Sequence, residues 1–289
     1  HIRNIDKVKN IICDLCKEVW YDRVICKHYR SLYKQTLDII NTNRKDYVNN
    51  DLDYVKKLIE SYIDIYYDNI LFTEDDNIEN NKYITYKYFF ERLYIDDTKT
   101  YYIMFNSELL SNNELDIKNY INSVSNSISY EMDLCETILN QQSKENIKPL
   151  LIKVLIENNN EFIINSLTKY LNNNNLEILH DIYIFINNYL VINESSILVS
   201  VFEDFCNSYC VSHFNIIKES KDYKSSIHTI FTVYEHIKNI IINGFTNNNI
   251  ILKSFDLIFR TQLNKIFKDT TLIPNFITKY IDQIIKESI

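Results

Sequence analysis

A chain of 289 residues with one glycine and two prolines has few ways to turn sharply. Glycine supplies the positive-φ positions of tight hairpins and lets a backbone approach a phosphate closely. Sheet-rich domains and nucleotide-binding loops are therefore nearly excluded, and long helices remain. The apolar pattern agrees. Leu252, Phe255, Phe259, Leu263 and Phe267 recur at steps of three or four, which makes one face of a helix. Lys268, Asp269, Thr270 and Thr271 break that pattern. Pro274 then sits just inside a second helix, where its missing N–H is harmless, and Ile273, Ile277, Tyr280, Ile281, Ile284 and Ile285 form its apolar set.

Composition narrows the function classes. The chain is 46% hydrophobic and 24% charged, which is globular rather than disordered, and is long enough for one large domain or two modest ones. Its wealth of Asn, Ile, Tyr and Lys reads as coding bias from an AT-rich genome and carries no functional weight. A formal net charge of −8 argues against a nucleic-acid footprint. No apolar run is long enough to span a membrane, and no secretory leader opens the chain. The missing initiator Met reads as the mark of a fragment, with His1 as a tag remnant. Six cysteines without dense spacing predict a reducing compartment, cytoplasm or nucleus.

In chain order, residues 5–20 form a first amphipathic helix with Ile5, Val8, Ile12, Leu15 and Val19 as its stripe and Ile11 and Cys16 beside it. Residues 24–40 are predicted to return as an antiparallel neighbour, with Leu32, Tyr33, Leu37 and Ile40 inward. Residues 52–71 are a third helix, with Val55, Leu58, Ile59, Tyr62, Ile65, Tyr66 and Leu71 as its apolar set. Residues 74–82 are a polar, acidic connection. Residues 117–139 keep a heptad-like seam of Ile117, Ile121, Val124, Ile128, Met132, Cys135 and Leu139, with Glu114 and Asp116 favouring its positive end. Pro149 is placed at a helix start. The asparagine run 172–175 is a loop by turn chemistry, and residues 197–217 and 227–245 are two more helices, with Gly244 placed as a C-cap.

The order of residue types along this pattern resembles the amino-terminal stalk of the cullins. The match runs with no insertion through Phe90, Glu91, Tyr94, Ile95, Thr98, Tyr101, Tyr102, Leu109 and Leu110. Asp97 stands where the family usually has Ala, and Ser107 and Glu108 reverse its Glu-Ser order. A second block is Phe255, Phe267, Phe276, Ile277, Lys279, Tyr280, Ile281 and Asp282, with Thr278 replacing a usual Ala. Val8, Ile12, Leu15, Cys16, Leu32 and Tyr33 fit the family's opening helices, and Leu179, Ile182, Tyr183 and Ile186 fit a later one. Ser127 and Leu134 stand where the family carries arginines. Between about 71 and 86 a further pair of long helices is expected and is absent from the sequence.

Motifs of bond chemistry are scarce. Cys13 and Cys16 with Cys26 and His28 have part of a zinc spacing, but the first pair lies within a helical pattern and Cys-x-His is an unusual second pair. Packed helix cysteines are the simpler reading. The same holds for Cys206, Cys210 and His213. His180 and Asp181 are adjacent on a helix and point apart. His228 and His236 fit no triad, and no nucleophile elbow, phosphate loop or metalloprotease motif occurs. We assign no catalytic residue, metal or cofactor. The 23 tyrosines mostly fall on apolar stripes and are expected in the core.

The expected fold is all-α, an elongated stalk of stacked cullin-type repeats divided at 1–85, 86–220 and 221–289. The resemblance implies a non-catalytic scaffold of a cullin-RING ubiquitin ligase. A substrate adaptor would dock at Ile5, Val8, Lys9 and Ile12, because an end repeat must be capped or covered. A RING-box protein would bind a carboxy-terminal region expected beyond residue 289. No nucleic-acid or membrane partner is expected. Two alternatives stand beside it: a helical scaffold of an exocyst-like tethering complex, where the two motif blocks would not be expected, and a helical-bundle enzyme with a buried metal, against which the absence of paired Glu-x-x-His motifs argues.

Overall fold

The computed structural model describes residues 2–65, 84–112, 114–139, 141–193, 196–219 and 223–266, together with 277, 278, 281, 282 and 285. Regular structure among them is helical, with no strand. The chain forms two compact units, His1–Leu115 with Asn122–Asn158, and Asp116–Ile121 with Asn159–Ile289.

The first unit begins differently from expectation. Helix α1 (Ile2–Trp20) does not turn back. A π-helical turn, Tyr21–Ile25, joins it to α2 (Cys26–Asp46). Trp20 and Cys26 both keep right-handed helical backbone, and the Cys26 N–H donates to the Tyr21 carbonyl, five residues back. Residues 24–40 are thus the continuation of the first helix, not its antiparallel neighbour. The sequence from Trp20 to Cys26 holds no glycine or proline to stop the ladder. One extra residue is absorbed as a π turn instead.

Helix α2 ends at Tyr47, whose φ of 51° is left-handed. Buried Asn43 fixes the exit: its amide donates to the Asn50 carbonyl (2.7 Å) and accepts from the Asn50 N–H (2.8 Å). Helix α3 (Leu52–Asp64) follows, burying Leu52, Val55, Ile59 and Tyr62 at helical spacing. It is shorter than predicted, and the rest of the 52–71 expectation lies outside the described residues, as does the acidic connection at 74–82. The Ile65 carbonyl accepts from the Thr85 hydroxyl at 2.8 Å, so the two flanks of that stretch meet. Helix α4 (Ile84–Tyr86) then runs through a second π turn, Lys87–Glu91, into α5 (Arg92–Ser111). Tyr86, Phe90, Tyr94, Thr98 and Tyr102 are all buried, one at each turn of this helix.

Helix α6 (Ile117–Ile138) opens with the Asp116 carboxylate accepting from the Asn119 N–H at 2.7 Å, which satisfies a free donor at the positive end. The predicted seam is buried at Ile117, Val124, Ile128 and Cys135. A second buried ridge runs beside it through Tyr120, Ser127, Glu131, Leu134 and Ile138. In α7 (Gln141–Leu155), Pro149 lies inside the helix and not at its start. The turn tolerates it because Pro149 and Glu145 are exposed, so water can serve the carbonyl that loses its donor. Helix α7 packs on α5.

The second unit continues with α8 (Asn160–Asn172), α9 (Leu176–Tyr189), α10 (Ile197–Glu219), α11 (Tyr223–Gly244) and α12 (Asn249–Ile266). The asparagine run is the predicted break, and the Asn175 side chain caps α9 by accepting from the Ile178 N–H. Helix α10 packs on α8 and α12, and α9 on α8 and α11. Aromatic edges fill the core, with Phe202 on Phe245 at 5.4 Å and Phe214 on Phe259 at 5.7 Å. Gly244 is not the left-handed cap expected; Thr246 and Asn247 take the positive φ angles. Gly244 instead lies where α11 meets α9, and a Cβ there would stand 3.4 Å from that of Leu179. Ile277, Ile281 and Ile285 are exposed. Phe267, Ile273, Pro274, Phe276, Lys279, Tyr280 and Ile284 lie outside the described residues.

Candidate docking face and its anchor

Helix α1 carries the candidate site. Its apolar residues repeat at helical spacing, yet every side chain from 8 to 20 is exposed. Val8 and Ile12 are each 55% exposed and Leu15 is 57% exposed. Lys9 is exposed at the margin of the stripe. The side chain of Ile5 lies outside the described residues. The face is larger than the four residues singled out from sequence, because Ile11, Leu15 and Val19 are also exposed along it, and Trp20 is exposed on another side at the end of the helix. Leu15 and Val19 are stripe members in the sequence reading but not among its docking residues, which are those nearest the start of the helix. Six large apolar side chains on one helix are more than scattered surface hydrophobes.

The cysteine expectation is corrected here too. Cys13, Cys16 and Cys26 are exposed, not packed, since among the described residues no helix covers them. Cys206 and Cys210 are buried as predicted, and burial pushes the Cys210 thiol up to about 12. Among the described residues, no group of three or more His, Cys, Asp or Glu is arranged to hold a metal ion.

What keeps this face in place is the anchoring of α2, which continues it. Ile25 and Ile40 are fully buried, and between the aromatic ridge of α5 and the polar ridge of α6 lies Arg44. Its guanidinium makes a two-pronged bond to Glu131, with Nε donating to Oε2 at 2.9 Å and Nη2 to Oε1 at 2.7 Å. It also donates to Thr98 Oγ1 at 2.6 Å, to Asp97 Oδ2 at 3.0 Å and to Asn41 Oδ1 at 2.9 Å. Tyr94 and Tyr102 donate to Glu131 at 2.6 and 3.0 Å. The side chains of Arg44 and Glu131 have no solvent exposure.

The electrostatics follow from that geometry. Burial pulls the Arg44 guanidinium down, and Glu131 with the tyrosine hydroxyls more than offsets it, leaving it well above its ordinary value. Burial and the Glu131 carboxylate together hold the Tyr94 and Tyr102 phenols protonated. A buried ion pair of this kind is a positioning device more than a source of net stability. It ties three helices into one register. Sequence reading missed it, since Arg44 and Glu131 sit where charge patterning predicts a solvated face. The one available signal was Thr98 and the two tyrosines, polar groups four residues apart on an otherwise apolar ridge.

Comparison with known proteins agrees with the sequence motifs. The chain is similar to Cullin-1 of Schizosaccharomyces pombe, with 25% identity over 289 aligned positions that cover 96% of this chain and 36% of that protein. The chain thus spans about a third of the length of that relative. A cullin profile, described as the cullin alpha solenoid domain, matches residues 2–289. With that match over nearly every residue, and an all-helical architecture built from the motif positions, the chain belongs to the cullin family.

Proposed function

We propose that this chain is the amino-terminal scaffold portion of a cullin-RING ubiquitin ligase and that α1 docks a substrate adaptor. The observation that carries the reading is the α1 stripe, solvent-facing over residues 8–20 in a member of the cullin family. The stripe is formed by Ile5, Val8 and Ile12, with Lys9 at its edge, and extends along Ile11, Leu15 and Val19. The scaffold divides into repeats at 1–85, 86–220 and 221–289. Its contribution is positional. A substrate held on the adaptor, and a RING-bound conjugating enzyme held on the rest of the protein, become parts of one assembly, which raises their effective concentration for each other. The chain itself performs no bond chemistry, and it works in the cytoplasm or nucleus.

The test is affinity purification of the full-length protein with mass spectrometry, beside a Val8→Asp/Ile12→Asp variant. Both positions are exposed, so the variant should fold as the parent does. The expected result is recovery of an adaptor and a RING-box protein from the parent, and loss of the adaptor alone from the variant. Recovery of vesicle-tethering subunits, or retention of the adaptor in the variant, would overturn the reading.

A further inference from the structure

A second surface on the first unit is independent of α1. Helices α2 and α5 run side by side in the same direction, since Tyr33 meets Phe90 and, further along both helices, Arg44 meets Thr98. Beside the Arg44 cluster the two helices leave a cleft of about 790 Å³. Tyr101, Met104 and Phe105 of α5 line it. Met104 is 60% exposed, an apolar and adaptable side chain held in water. The lining also carries Asp38 and Asp46 from α2 and Glu108 from α5, against one cation, Lys45. Among the described residues none of these carboxylates takes part in an ion pair, and the nearby guanidinium of Arg44 is committed to Glu131 and Asp97. Three acids and one lysine leave the cleft with two uncompensated negative charges.

From this we infer that the α2–α5 cleft is a docking groove for a basic amphipathic helix of a partner protein. Two adjacent parallel helices present ridges between which a third helix can lie. Its apolar residues would cover Met104, Tyr101 and Phe105. Lysines or arginines flanking that face would meet the carboxylates. Asp38 and Asp46 are eight residues apart on α2, roughly 12 Å along the axis, so basic residues about two turns apart on the ligand would reach both. Charge complementarity of this kind selects the partner and speeds encounter. An acidic helix of the same apolar face is excluded by repulsion.

The chain offers a direct probe, because it has only two methionines, Met104 in the cleft and Met132 on α6. The probe ligands are two synthetic helical peptides with the same leucine face, one flanked by Lys and Arg and the other by Glu. With the methionine methyls isotopically labelled, the basic peptide should shift the Met104 resonance and leave that of Met132 unmoved. Its affinity should fall at least tenfold in Asp38→Lys/Asp46→Lys and weaken as salt rises, while the acidic peptide should bind the charge-reversed variant better than the parent. Equal binding of both peptides to the parent, or a basic peptide that leaves Met104 unshifted, overturns the proposal. So does self-association of the parent that the same charge reversal abolishes, since the cleft would then serve a second copy. Loss of adaptor binding by the α1 variant bears on none of these readouts.

Discussion

Replacing Glu131 with leucine should be among the most damaging single changes in the first unit. Glu131 accepts four hydrogen bonds, two from Arg44 and one each from Tyr94 and Tyr102. Leucine would leave a buried guanidinium with only Asp97 as a charged partner, at a carboxylate whose side chain is 23% exposed. Removing one member of a buried pair costs about 3–5 kcal/mol. Two stranded phenols would add to the cost, though not additively. With about 4 kcal/mol as the working figure, the urea midpoint should fall by roughly 2 M at a slope of about 2 kcal/mol per M. The decisive comparison is Arg44→Met/Glu131→Leu. With both charges gone, no buried ion is left unpaired, and the double variant should be no less stable than Glu131→Leu alone. A double-mutant cycle should return a coupling of about 2–3 kcal/mol. The assay is urea unfolding followed by far-UV circular dichroism for all four proteins. A loss under about 1 kcal/mol for Glu131→Leu, or additive single losses, would refute the claim that this pair registers α2 against α5 and α6.

Two other perturbations test the second unit. His236 stacks on Tyr209 at 4.7 Å, with His213 at 4.2 Å from the same ring, and burial first and His213 second hold its pKa below the usual histidine value. The folded state therefore prefers neutral His236, so its contribution is fully present above the unfolded-state pKa and is lost as pH falls through that range. The melting temperature of the parent should drop on acidification more steeply than that of His236→Phe, and parallel curves would sink the idea. Gly244→Ala should gain about 0.5–1 kcal/mol in helix propensity, since the added Cβ makes ordinary contact with Leu179 and meets no positive φ; a measurable loss of midpoint would mean that α9 and α11 cannot accept even one methyl.

Much of the architecture was legible because it rests on periodicity. The stripes of α3 and α9, Phe255 and Phe259 of α12, and the asparagine break between α8 and α9 were readable from apolar spacing and turn chemistry alone, while the rest of the buried face of α12 is Ile251 and Gln262 in place of Leu252 and Leu263. The failures share a physical cause. Continuity through Tyr21–Ile25 has no local signature, because a π turn needs no special residue and Trp-Tyr-Asp-Arg reads equally well as a polar break. Assuming that break supplied α1 with an imaginary antiparallel neighbour, whereas the packed reading of Cys13 and Cys16 came from the general tendency of a free thiol to sit in a core. Propensity favours Pro149 at a helix start, but inside α7 its exposed side lets water serve the freed carbonyl, so the helix continues through it. Arg44 and Glu131 were invisible for the opposite reason: they lie far apart in sequence, and only tertiary packing turns two ordinary surface charges into one buried contact. The cleft acids were likewise indistinguishable from a solvated face until α5 was seen beside α2.

The π turn has a consequence for how such proteins can change. Because it holds one residue more than an α-helix needs, a single deletion within Tyr21–Ile25 could be absorbed without breaking the helix. The extra residue is already taken up by the turn, so α1 would keep nearly its present direction relative to α2 and the Arg44 anchor. A deletion within the continuous α-helix of residues 8–20 has no such slack, and everything before it would turn by about 100° about the helix axis. The same loss of three nucleotides is thus silent for the docking stripe at one place in this long helix and splits the stripe between two faces at another.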